Sequence, residues 1–320
     1  MTDTVDWRFR RGGWPWLFMV AGALILASNH VIGRFYHAEL PAMGLAFWRI
    51  AIAALVLLPF VWRDVAREWR VMLRHWTLFG TLAVGVVPLG TGAVYLAYQY
   101  TTAMNGAVVA TGQPMMTALL ALFLFRDRPA PVTVLGILVA AAGVLYAVAR
   151  GDPAVLLALT LNPGDLIMLA AMAGFAMHNV YLRRVPKTFS QPMILFSVQI
   201  YGLVVMLPIY IAESIWVRPM PLTWEAAGVA VWVAVAVGVV AVGFVNTAVL
   251  ALGATVASAS NYMRAGFTAI LAIVVLGEQP APYHAVAFAL IVAGIWLMSR
   301  GRRRPPGAVA SAPSAPARPA

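Results

Sequence analysis

The stretch MTALLALFLFRDRPAP, Met116 to Pro131, returns later in the chain as FTAILAIVVLGEQPAP, Phe267 to Pro282. The constant offset of 151 residues puts Thr117 on Thr268, Asp127 on Glu278, Pro129 on Pro280 and Pro131 on Pro282. The register holds forward to Gly143 and Gly294, and back through Gln113 and Arg264 to Ala97 and Ala248. A repeat this long is two copies of one structural unit rather than two similar loops. The fold must therefore bring two related halves together, and what they enclose is the functional question.

What each half is made of follows from hydropathy. Of the 320 residues 62% are hydrophobic and only 10% charged, and the mean hydropathy is +0.85. A soluble domain carries roughly 25% charged residues. The charges here sit in short islands between apolar runs of about 20 residues, the length a bilayer requires. The sequence predicts an all-α, multi-pass membrane protein whose surface partner is the lipid bilayer. With no cysteine, disulfides, thiol catalysis and thiolate metal sites are excluded. The start, MTDTVDWRFRRGGWPW, runs into a full-length apolar span without a clear small-residue cleavage site, so it reads as a retained first helix.

Ten transmembrane helices can be placed, at about 14–34, 42–62, 76–98, 104–125 and 132–149, then 164–183, 192–212, 226–250, 255–276 and 283–299. The implied division is a cytoplasmic tail (1–13), a first repeat (14–149), an extracytoplasmic linker (150–163), a second repeat (164–299) and a disordered cytoplasmic tail (300–320). With the N-terminus in the cytoplasm, seventeen of the 22 Lys and Arg residues fall inside, as the positive-inside tendency requires. The net charge of +11 is then a topology signal rather than a nucleic-acid footprint. Five spans per half is an odd number, so the second copy enters the membrane inverted. Inverted repeats give secondary transporters two exchangeable gates around one central site. Trp14, Trp16, Trp62, Trp69, Trp76, Trp216 and Trp224 stand where interfacial belts form.

Catalytic constellations are missing. There is no HExxH, GxSxG or Walker A pattern, and no enzyme, cofactor or metal site is expected. None of the 11 carboxylates sits mid-span, which leaves no acidic candidate for proton coupling and only His30 and His178 as proton carriers. Polar residues at membrane depth are costly and face a cavity or another helix. The repeat selects among them: Gln113 pairs with Arg264 and Tyr95 with Asn246, while Asn29 pairs with His178 at an offset of 149. Arg264 is either a donor fork for a substrate carboxylate or a structural Arg satisfied by neighbouring helices. Gln113 precedes Pro114, which frees a carbonyl on the previous turn. Tyr98, Gln99 and Tyr262 join the candidate set as neighbours of these positions. Arg49 is close enough to a membrane boundary to snorkel and is left outside it.

The segments ASNHVIGR (Ala27–Arg34), ATGQPMMTALLALFLFRDRP (Ala110–Pro129) and ATVASASNYMRAGFTAILAIVVLGEQP (Ala254–Pro280) resemble the drug/metabolite transporter superfamily, specifically its proteins with two EamA domains. The likeness covers about residues 14–299. The family closes its fourth and ninth spans with Gly-Glu; Gly277-Glu278 fits, and Arg126-Asp127 departs from it. Within the family the chain looks most similar to YddG-type exporters of aromatic and neutral amino acids. The resemblance implies an exporter in the bacterial inner membrane working by alternating access, with another metabolite or drug-like compound as the alternative cargo. It leaves the solute and the oligomeric state open.

Overall fold

The computed structural model of the protein describes residues 14–125, 130–158, 161–186, 189–252 and 254–300. The two tails, Lys187 and the Arg126-Asp127 pair lie outside these. Nine helices among the described residues are long and apolar enough to span a bilayer. They are α1 (Trp14–Phe35), α2 (Ala42–Arg74), α3 (Trp76–Ala97), α4 (Ala103–Leu124), α5 (Pro131–Val148), α6 (Pro163–Leu182), α7 (Gln191–Trp216), α8 (Trp224–Ala248) and, last in the chain, α10 (Pro282–Arg300). Between α8 and α10 runs α9 (Ala254–Leu276), whose side chains are described from Ser260.

Local chemistry starts these helices. Thr102, Asn162, Ser190 and Thr223 accept a backbone N–H at the N-termini of α4, α6, α7 and α8, satisfying donors that hydrocarbon cannot. α2 continues twelve residues past its expected end at Trp62. Nothing between Trp62 and Arg74 breaks a helix, and Arg67 pairs there with Asp64 and Glu68 at 3.2 and 3.0 Å. α4 is interrupted at Thr111–Gly112, because Pro114 has no N–H for the Ala110 carbonyl. α3 widens into a π-helix at Val87–Gly92, beginning beside Pro88, and α8 does the same over Trp232–Ala241. The repeat offset carries 87–92 onto 238–243, so both copies loosen the third helix at overlapping positions.

Packing exchanges partners between the halves. α5 packs on α10 and α2 on α7; α1 packs on α8 and α9, as α6 packs on α3 and α4. This is the pattern of a pseudo-two-fold axis. The α5–α10 contact is backbone to backbone: a Cβ on Gly294 would stand 2.4 Å from Ala140 N, and one on Gly143 would stand 2.9 Å from Ile291 N. Gly136 meets Met298 while Gly143 meets Ile291, so the two helices run antiparallel. Small residues permit this approach where lipid supplies no hydrophobic drive between helices. The seven belt tryptophans are all exposed at the rim of the bundle.

Candidate functional site

A cavity of about 710 Å3 lies between the halves, within the roughly 300–1,000 Å3 typical of small-molecule sites. Its wall reaches toward the α6–α7 end of the bundle through Leu182 and Pro192. The expected residues Asn29 and His30 on α1, Gln113 on α4, His178 on α6, Asn246 on α8 and Arg264 on α9 all line it. Ala110 and Gln113 flank the break in α4, and Gly238 of the α8 π-helix also reaches the wall. Breaks and π-turns in membrane helices concentrate at such sites.

The other candidates sit elsewhere. Tyr95 is one layer behind the wall: its hydroxyl donates to Asn29 Oδ1 at 2.7 Å and accepts from Arg49 Nη1 at 3.3 Å. Tyr98 is fully buried, its hydroxyl 2.5 Å from His30 Nδ1 and its carbonyl accepting from Arg34 Nη1 at 2.9 Å. Gln99 is half-buried in the turn after α3 and Tyr262 packs edge-on against Phe288 of α10; neither lines the cavity.

Arg49 corrects the sequence reading. It does not snorkel but lines the cavity, with Nη1 at 3.4 Å from Asn29 Oδ1. Its signal was hidden because the offsets of 149 and 151 place it on Val198 and Ile200, so symmetry could not select it. The Arg264 carbonyl accepts the Thr268 hydroxyl at 2.9 Å, while its guanidinium makes no hydrogen bond or ion pair among the described residues. Among the described residues no Asp or Glu lines the cavity. The site is therefore a largely apolar chamber with two guanidinium groups and no described carboxylate, an arrangement whose potential favours an anion. His178 Nδ1 donates to the Leu82 carbonyl at 3.1 Å, which leaves its Nε2 available to a ligand.

The opposite end of the bundle is stapled across the halves. The Met43 and Gly44 N–H groups donate to Glu213 at 3.0 and 2.7 Å, and those of Ala103 and Met104 donate to Glu278 at 2.7 and 2.9 Å. Arg218 donates to the carbonyls of His37, Ala38 and Leu40, and the Tyr36 hydroxyl donates to Glu225. A carboxylate on helix-terminal N–H groups gains from charge-assisted bonds and from the helix dipole. Asp165 stands in the first turn of α6 and not mid-span, yet it has no exposed surface. The sequence places it at a span's edge, and the loop of Tyr100–Thr101 closes over it.

Residues 13–149 and 162–300 match the model of the EamA-like transporter family. The chain is 23% identical over 283 residues to a protein of Archaeoglobus fulgidus described as an uncharacterized transporter, covering 88% of this chain and 96% of that one. It is 23% identical to the uncharacterized transporter YetK of Bacillus subtilis, covering 90% and 87%. A 27% match to YyaM, another Bacillus subtilis transporter so described, spans only about half of each chain, 52% and 53%. A solved crystal structure superposes with a TM-score of 0.54 at 19% identity, over 88% of this chain and 95% of that chain; that likeness is one of fold.

Proposed function

The chain belongs to the EamA-like transporter family, and from that premise we propose that it is a secondary transporter exporting small carboxylate-bearing metabolites across a bacterial inner membrane by alternating access. Ten spans in two inverted repeats, 14–149 and 164–299, rock around the central cavity, with both tails in the cytoplasm and the segment 150–163 outside. The orientation rests on the Lys and Arg distribution. It makes the stapled end the outer one and the cavity inward-reaching.

The observation that carries the reading is the guanidinium of Arg264 in the cavity wall, which has no hydrogen bond or ion pair among the described residues. A buried cation without a counter-ion is expensive unless a ligand supplies one, and a carboxylate fits the guanidinium fork bidentately. Gln113 and Asn246 offer carbonyl oxygens to an ammonium group, and His178 offers Nε2. Aromatic and neutral amino acids of the YddG-type cargo are the first substrates to test. The second guanidinium, Arg49, favours a second reading in which the cargo carries two acidic groups, as a dicarboxylate does.

Counterflow in proteoliposomes tests both. Radiolabelled aromatic, neutral and acidic amino acids and dicarboxylates are offered to wild-type and Arg264→Ala protein. Saturable flux of any of these, reduced about 10- to 100-fold by the substitution, supports the reading. Equal flux in both proteins would sink the central-site assignment.

A further inference from the structure

We propose that the cargo of the central cavity is an amphipathic carboxylate whose apolar part is an aliphatic chain, laid along a wall formed by α2, α7 and the π-helix of α8. The inference rests on the transport reading above and narrows its substrate class. The chamber has a cationic pole, and an apolar slot leads away from it. The pole is built on α1. Asn29 Oδ1 lies 3.4 Å from Arg49 Nη1, and the adjacent His30 is within electrostatic reach of both Arg49 and Arg264. Arg49 joins this pole to the α8 π-helix, since a Cβ added at Gly238 would stand 3.9 Å from Arg49 Nε.

From Arg49 the α2 wall runs toward the α6–α7 end of the bundle through Ile50, Ala53 and Leu57, all of which line the cavity. Spacings of three and four residues put them on one face of the helix. Arg49 to Leu57 covers about 12 Å at the helical rise per residue. Leu195 and Val198 of α7 and Val239 of α8 line the cavity beside them. α2 packs on both α7 and the α8 π-helix, and Leu195 and Val239 pack against the cluster that holds Leu57, so the three segments make one apolar surface. Ile50, Ala53, Leu57 and Val198 are at most 7% exposed; they turn to the chamber and not to lipid. Gln199 is the polar exception on the α7 wall, and its Oε1 is buried, so no acceptor is presented there.

This wall selects among cargoes. A second acidic group lying along it would meet no guanidinium beyond Arg49, because the other one in the described lining, Arg264, belongs to the pole. An aromatic cargo gains from ring partners, yet Phe175 of α6 is the only Phe, Tyr or Trp among the described lining residues. An aliphatic chain needs neither. It gains from apolar area alone, a factor of about two to four in affinity for each methylene taken out of water. With its carboxylate on the guanidinium pole, such a cargo matches the two kinds of surface the cavity offers.

The experiment reads binding rather than transport. The full-length protein in nanodiscs is titrated with alanine, norvaline, norleucine and 2-aminooctanoic acid, with glutamate, succinate and phenylalanine alongside. Each Kd is taken from ligand-induced thermal stabilisation. Affinity is expected to rise about two- to fourfold per methylene. Val198→Thr and Val239→Thr keep the shape of the wall and add a hydroxyl, so each should lower the norleucine-to-alanine affinity ratio by about twofold or more. Ala53→Leu fills the slot and should remove the gain beyond norvaline. Because each variant is judged by a ratio of two ligands on one protein, a loss of folded material does not imitate the effect. The proposal is overturned if no member of the series binds or if affinity is flat with chain length. It is equally overturned if glutamate, succinate or phenylalanine binds about tenfold tighter than norleucine, or if all three wall variants keep the parent's slope. Arg264→Ala separates the two readings: it should weaken every member alike and leave the slope intact. Affinities unmoved by it, with the slope and its loss in the wall variants preserved, would sink the central-site assignment while supporting the aliphatic wall.

Discussion

The two repeats share a backbone plan but not a chemistry. In the first, Asn29, Arg49 and Tyr95 bond to one another at 2.7 to 3.4 Å. In the second, the positions equivalent to Asn29 and Tyr95 are His178 and Asn246, and no such triad forms. The His178 ring is anchored only to a backbone carbonyl, and the side chains of Asn246 and Arg264 carry no hydrogen bond among the described residues. The triad of the first half has satisfied its polar groups internally, whereas the second half leaves those of His178 Nε2, Asn246 and Arg264 available. A ligand is captured by groups that gain bonds on binding, since groups already paired must first give a bond up. Under the proposed function the second repeat, together with Gln113 of the first, is therefore the recognising part and the triad its template.

The largest effect should come from breaking what the halves share. Gly294→Leu places a side chain where even a Cβ lies 2.4 Å from the α5 backbone, a contact that backbone cannot relieve by rotamer change. We expect a loss of about 3 kcal/mol or more, read as a collapse of the thermal unfolding midpoint in detergent. Gly266→Ala is the control, because nothing lies within 4 Å of its added Cβ; in a helix it should be neutral or stabilising by about 0.5–1 kcal/mol. Next in size is Arg264→Ala, with the 10- to 100-fold loss of kcat/KM estimated above. Arg264→Lys should recover only part, since an ammonium lacks the bidentate fork. Arg49→Ala should cost less, about 5- to 10-fold, because its guanidinium already has partners. Combined with Arg264→Ala it forms a cycle. Non-additivity beyond about 0.5 kcal/mol means both cations hold one anion, and additivity means Arg49 is only wall.

Much of this was legible in the sequence and some was not, for physical reasons. Hydropathy period and the 151-residue offset are local or translational signals, and they yield the helices, the two halves and the pairs that meet at the cavity. Arg49 escaped because its equivalents, Val198 and Ile200, are apolar, so a search by symmetry cannot see it. Asp165 escaped because its burial is made by Thr101 and the turn before α4, brought near by tertiary packing and not by sequence spacing. The distortion of α3 begins beside Pro88, a residue that lacks an N–H, whereas the π-helix of α8 contains no proline and follows from its place in the fold. Tyr98 read as a site residue because it neighbours Tyr95 in the sequence. Its hydroxyl serves His30 instead.

Tyr95→Phe should have the smallest effect and is the most direct test of the contrast between halves. It removes one hydroxyl from the triad while keeping the ring that packs between α2 and α8, among Ala46, Ile50 and Val233. Asn29 Oδ1 then keeps only the 3.4 Å contact with Arg49, and one acceptor is left under-satisfied. The expected cost is about 1 kcal/mol of stability and less than about threefold in kcat/KM, since the lost bond is made with and without substrate. If Tyr95→Phe instead lowered transport as far as Arg264→Ala at unchanged stability, the hydroxyl would be touching substrate and the triad would be recognising cargo too. The template account of the triad would then have to be given up. If stability fell and transport held, the triad is scaffold, and the symmetry that suggested Tyr95 as a binding residue reports shared ancestry of the backbone rather than shared duty of the side chains.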